Sequence, residues 1–136
     1  MPAISVERRI GETKHAVLDG LIRHTAERMG KHKQRQFAIS LRDGGAIVGG
    51  IVGEVWMSVL VIKLFWIDER FRGHDHGTAL IHAIEDEARR YGAARSYLDT
   101  MSFQAPGFYR ACGYQEFGTI DGYTGGVTRH WFTKVL

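Results

Sequence analysis

The sequence predicts an α/β fold on a single mixed sheet, with elements in the order β-α-β-β-β-α-β-α-β-β. Three observations carry this. Apolar runs punctuated by glycine alternate with segments of helical periodicity. The run Ser58–Ile67 is rich in β-branched and aromatic residues at both parities, as in a strand covered on both faces. A strand–helix–strand unit follows it, which requires a parallel pair with a crossover, while the glycine turn at 43–45 requires antiparallel neighbours. The sheet is therefore expected to be mostly antiparallel around one parallel pair, with helices on both faces.

Each element has its own signal. Residues 4–10, ISVERRI, read as a short first strand. Thr13 is placed to cap a helix ending at Met29, because Ala16, Val17, Leu21, Ile22, Ala26 and Met29 recur at helical spacing and Gly30 follows. Residues 36–42 alternate in polarity and read as a strand. Asp43-Gly44-Gly45 then supplies the positive φ of a hairpin turn into residues 46–56. Gly49, Gly50 and Gly53 weaken that second strand and point to a bulge or a close backbone approach. From Thr78 to Tyr91 a helix is expected, with Leu80, Ile84, Ala88 and Tyr91 as its apolar stripe and Gly92 at its end. Glu85 with Arg89, and Asp86 with Arg90, read as i,i+4 pairs on its wet side. Residues 94–100 form another strand, residues 104–112 a short helix with Pro106 in its first turn, and residues 114–120 and 128–135 two closing strands.

A chain of 136 residues is long enough to bury a core, and residues 1–136 are read as one domain. A formal charge of +3 suits an anionic small ligand as well as nucleic acid, and decides nothing alone. The basic residues are scattered, with a modest cluster from Lys31 to Arg35 and no stacking-aromatic motif, so nucleic acid is ranked low. The single cysteine, Cys112, excludes an intrachain disulfide and a paired-cysteine zinc site, and reads as packing. The N-terminus shows no apolar signal region, and the longest apolar run, Val55–Ile67, is interrupted by Ser58 and Lys63. A cytoplasmic protein without a membrane span is expected.

The stretch FRGHDHGTALI, residues 71–81, joins the apolar strand to the main helix. Amides at a helix start have no internal partner, and the helix dipole makes the potential there positive. Gly73 and Gly77 fit a loop that wraps such amides around a phosphate, and Arg72 adds a fixed charge. A strand–Gly–helix junction is also a common structural turn. His74 and His76 flank Asp75, but no HExxH motif follows and the nearest further histidine is His82, so no metal is expected. The loop lacks the Gly-Lys-Ser/Thr ending of a Walker A loop and the three-glycine dinucleotide fingerprint.

Two motifs together resemble the GNAT superfamily of acetyl-CoA-dependent N-acyltransferases. RGHDHG supplies Arg72 and Gly77 of that family's pyrophosphate loop, Arg/Gln-x-x-Gly-x-Gly/Ala, with Asp75 in place of the middle glycine. YLDTMSFQAPGFYRACGYQEFG looks like its second motif, Ala-x-x-Phe-Tyr-x-x-x-Gly-Tyr/Phe, and the tail DGYTGGVTRHWFTKVL resembles that of small bacterial members. The match runs from about Ile47 to Leu136.

The resemblance implies a GNAT-like fold whose parallel pair splays at the CoA site. It implies an acetyl-CoA-dependent N-acetyltransferase in which a primary amine attacks the thioester directly. The pantetheine arm would bond the backbone of Leu64, Phe65, Trp66 and Ile67, and the pyrophosphate would rest on Arg72, Gly73, His74, Asp75, His76, Gly77 and Thr78. Tyr109 matches the family tyrosine that protonates the leaving thiolate; without the motif it reads as a half-buried helix aromatic. Family members often place a glutamate base on the central strand, but Val59–Ile67 has no acid. Glu54 and Asp99 are the candidate bases, and each also reads as an ordinary strand residue. The implied acceptor is a small-molecule or peptide amine, the implied assembly a homodimer, and no metal is involved. Asp75 keeps open a second reading, a CoA-binding sensor or interaction domain of the same fold without turnover.

Overall fold

A computed structural model describes residues 1–136, which divide into two compact units, 1–32 and 33–136. The first unit is an irregular lead followed by helix α1 (Gly11–Met29). Residues 4–10 form no strand, contrary to the sequence expectation. Alternation makes a strand only where a partner supplies hydrogen bonds, and Ile4 and Val6 stand fully exposed. Helix α1 starts before Thr13, whose hydroxyl donates to Glu7 Oε2 at 3.0 Å instead of capping. Gly30 ends it at φ 75°, a left-handed value that suits glycine. No α1 residue is buried, and the stripe of Val17, Leu18, Leu21 and Ile22 is about half exposed.

The second unit is a six-stranded sheet ordered β1-β2-β3-β4-β6-β5. Its strands are β1 (Arg35–Asp43), β2 (Ala46–Trp56), β3 (Val59–Ile67), β4 (Arg95–Met101), β5 (Gln115–Ile120) and β6 (Arg129–Val135). Helix α2 (His76–Arg90) follows β3, and α3 (Pro106–Ala111) follows β4. All neighbours are antiparallel except β3 and β4. The mixed sheet and its single parallel pair are thus as the sequence predicts. No helix is long and apolar enough to cross a membrane.

Gly44 and Gly45, both at positive φ, make the first hairpin turn. The second turn was not legible: Met57 and Ser58 take positive φ without being glycine, so the strand expected from Ser58 begins at Val59. The β2 glycines do what their positions suggest. The β2–β3 register shifts between Val52 and Gly53, and a Cβ on Gly53 would lie 2.9 Å from methyl carbons of Leu60 and Ile84. Only glycine lets the bulged strand sit this close to α2.

The core lies where α2 and α3 meet one face of this sheet. Ile51, Leu60, Ile81, Ile84, Leu98 and Phe132 are essentially sealed from solvent, each contributing about 1.5–3 kcal/mol of transfer free energy. Both helices feed this same core. One charge assignment is also corrected. Glu85 is not on the wet side of α2: it is 1% exposed and bonds Lys134 Nζ at 3.0 Å. The surface pairs are Asp86–Arg89 and Glu87–Arg90, at i,i+3.

Candidate active site

The site begins where the sheet comes apart. Strands β3 and β4 pair only at Val59–Val61 against Arg95–Tyr97 and separate beyond. Over that gap lies a cavity of about 640 Å³. Phe65, Trp66 and Ile67 of β3 form one side, and Arg72 to Thr78, apart from His74, form the loop wall. Phe108 and Tyr109 of α3 close the far side. Leu64, the other β3 residue singled out from the sequence, is 67% exposed and outside the lining.

The loop is built for close approach. Asp68 caps a short 3-10 turn (Glu69–Phe71) by accepting from the Arg70 amide at 2.9 Å. Arg72 turns back to donate to the Ile67 carbonyl at 2.9 Å, pinning loop to strand. Gly73 at φ 79° and Asp75 at φ 64° bend the chain into α2. The Asp75 side chain makes no capping bond, so the amides of His76, Gly77 and Thr78 have neither an intrahelical partner nor a side-chain cap. They present donors and positive dipole potential to the cavity, an arrangement that suits a phosphate group. A Cβ on Gly77 would lie 3.2 Å from the Phe108 ring, so helix and aromatic already touch. The His74 and His76 rings are 6.1 Å apart, and no three His, Cys, Asp or Glu side chains cluster as metal ligands.

Tyr109 is buried, its ring stacked edge-on against Phe65, Phe108 and Tyr114 at 5.2–6.4 Å between centroids. Burial, followed by the charges of Cys112 and Asp99, pushes its hydroxyl up to about 12. The group is a neutral phenol that keeps its proton through the physiological range. Burial likewise pushes the Cys112 thiol up, which suits packing and not nucleophilic attack.

The two carboxylates singled out from the sequence stand outside the cavity lining, and each already holds a cation. Glu54 meets Lys63 Nζ at 3.1 Å and accepts from Gln36 at 3.3 Å. Asp99 Oδ2 accepts from Arg129 Nε at 2.7 Å, and the same guanidinium lies over the Trp131 ring. Of the two, Asp99 lies on the separated half of β4, where its charge reaches Tyr109.

Several lining residues were not singled out from the sequence: Phe71, Phe103, Gln104, Ala105 and Phe108. One local signal was available. Pro106 bars the preceding Ala105 from ordinary helical backbone, and Ala105 stands at φ 60°, a strained value for a non-glycine residue.

Outside the cavity, α3 is tied to β5 and β6 by a charged cluster. Glu116 accepts from Arg110 at 2.7 Å, from Thr119 at 3.0 Å and from His130. The His130 bond, then the Arg110 bond, pulls the Glu116 carboxyl from 4.5 down to about 2. A carboxyl lowered on folding stabilises the fold above its unfolded value, and that stability is lost as pH falls through the folded value. Glu116→Gln is therefore expected to lower Tm at neutral pH and to flatten the decline of Tm between about 4.5 and about 2. Thermal melts across that window check it; parallel curves for both proteins would remove the cluster from the acid response.

Comparison with known proteins agrees with this geometry. Residues 8–114 match the model of the acetyltransferase (GNAT) family. The chain is 40% identical, over 93 residues and 68% of each sequence, to blasticidin-S acetyltransferase of Streptomyces morookaense. A crystal structure of an acetyltransferase from Bacillus cereus matches with a TM-score of 0.90 at 30% identity, covering 100% of this chain and 99% of that one. An aminoglycoside 6′-N-acetyltransferase solved with coenzyme A shares the fold at TM-score 0.65 and 18% identity, over 98% and 97% of the two chains.

Proposed function

Because the chain belongs to the acetyltransferase (GNAT) family and is an acetyltransferase, we propose that it moves the acetyl group of acetyl-CoA to a primary amine by direct attack in a ternary complex. One observation carries the reading: the uncapped amides of residues 76–78 and the protonated Tyr109 line the same cavity, at the point where β3 and β4 part. Such a gap leaves backbone groups of Phe65 to Ile67 free to pair with the amides of a pantetheine arm. Arg72, Gly73 and the α2 amides suit its pyrophosphate, with no metal required. Tyr109 donates its proton to the departing thiolate. The amine loses its proton through water to Asp99, a choice over Glu54 that the reach of the Asp99 charge to Tyr109 supports. Residues 1–136 act as one domain in a cytoplasmic homodimer.

Thiol release from acetyl-CoA in the presence of a panel of amines tests the reading. Blasticidin S, an aminoglycoside, spermidine and a peptide with a free N-terminus span the classes. Turnover with one of them, unchanged in excess chelator, is expected. Binding of acetyl-CoA with no turnover on any amine would favour the sensor reading, which the unpaired carboxylate of Asp75 supports.

That carboxylate stands in a phosphate-binding loop at a φ glycine takes without strain. Asp75→Gly removes both the strain and the like charge, and should tighten acetyl-CoA binding by about 1 kcal/mol, or roughly fivefold. Calorimetric dissociation constants at fixed ionic strength decide it. Weaker binding would mean that the aspartate shapes the loop.

A further inference from the structure

We infer that the buried ion pair of Glu85 and Lys134 is a positioning device for Tyr109, an inference that rests on reading Tyr109 as the proton donor. The Glu85 side chain is 2% exposed and that of Lys134 19%. Lys134 Nζ donates to Glu85 Oε1 at 3.0 Å and to the Cys112 carbonyl at 2.9 Å. The Tyr114 hydroxyl donates to Glu85 Oε2 at 2.9 Å and lies 2.8 Å from Ser96 Oγ. One largely buried network therefore joins α2, β4, β6 and the end of α3.

Stability alone does not account for such a network. Removing two charges from water costs about as much as their attraction returns, and apolar replacements of similar volume are often neutral or better. What the pair does supply is geometry. Helix α3 has only six residues, starts from a strained alanine and has no side-chain cap at its N-terminus. Its orientation is set from its far end. There the Tyr109 carbonyl accepts from the Cys112 and Tyr114 amides at 3.1 and 3.0 Å, while Lys134 holds the Cys112 carbonyl. The Tyr109 ring leans on the Tyr114 ring at 6.3 Å, whose hydroxyl Glu85 fixes. Glu85 belongs to the helix whose first turn forms the loop wall of the cavity. The pair thus couples the proton donor to the phosphate end of the site.

The test uses Tyr109→Phe, the paired replacement Glu85→Leu with Lys134→Met, and all three changes together. For each, kcat, acetyl-CoA KM and Tm are measured with the fastest amine of the panel. The paired replacement is expected to leave Tm and KM nearly unchanged and to lower kcat by about 10- to 100-fold, as sub-ångström to ångström misplacement does. Added to Tyr109→Phe, it should lower kcat no further. Lys134→Arg keeps the charge but moves the donor, so it gives the same readout in a chain that retains the pair. An unchanged kcat, or an equal loss with and without the Tyr109 hydroxyl, overturns the positioning role while leaving the donor reading intact. If Tyr109→Phe itself has no effect on kcat, the donor reading falls first, and this inference with it.

Discussion

Tyr109→Phe is expected to lower kcat by ~10²–10⁴-fold, the range typical of a lost general acid, while leaving the dissociation constant of acetyl-CoA nearly unchanged. The phenol acts on charge that exists only as the thiolate leaves, so its removal raises the barrier without weakening ground-state binding. The substitution keeps the ring and its packing against Phe65, Phe108 and Tyr114. With its hydroxyl pushed up to about 12, Tyr109 carries its proton at every ordinary assay pH. The wild-type rate should therefore show no alkaline fall attributable to this residue below pH ~10. Rapid-quench measurement of the acetyl-transfer step separates chemistry from product release. An unaltered rate for that step would exclude Tyr109 as the acid.

Phe132→Ala should destabilise the protein by about 3–5 kcal/mol, the range for emptying a well-packed aromatic site. Phe132 is completely buried, pairs with Leu98 across β4 and β6, and lies 5.9 Å from the Tyr109 ring. Its removal leaves a cavity between sheet and α3 that fully sealed neighbours cannot easily refill. Set against a typical total of about 5–15 kcal/mol, the variant should be close to its limit. Urea denaturation gives the comparison directly: a large drop in midpoint with an unchanged slope is expected. A loss below about 1.5 kcal/mol would mean that the core relaxes into the space.

What could be read from the sequence was what local chemistry dictates. Gly73, Gly77 and the start of α2 follow from the steric needs of a tight loop and the orphan amides of a helix end. Pro106, Tyr109 and Gly113 mark a short helix by its start, content and stop. Glu85 shows the opposite case. Arg89 at i+4 makes it look like a surface charge, and its partner Lys134 lies 49 positions away. Nothing local announces such a pair. Met57 and Ser58 were missed because they adopt a turn that glycine or asparagine would advertise. Residues 4–10 alternate like a strand, but alternation cannot report whether a partner is present. Phe103 and Gln104 reach the cavity wall only through the path of the chain between β4 and α3.

The early separation of β3 from β4 has a consequence for deuterium uptake. These are the two middle strands, where backbone amides normally exchange most slowly. Yet beyond Val61 and Tyr97 neither strand has the other as a partner. In the free protein, amides of residues 62–67 that point away from β2 should label quickly, like those of an exposed edge. Acetyl-CoA bound as proposed would protect them, whereas β4 amides facing the gap would gain nothing. The unequal response of two adjacent strands would show which wall of the gap carries the ligand, without any substitution being made.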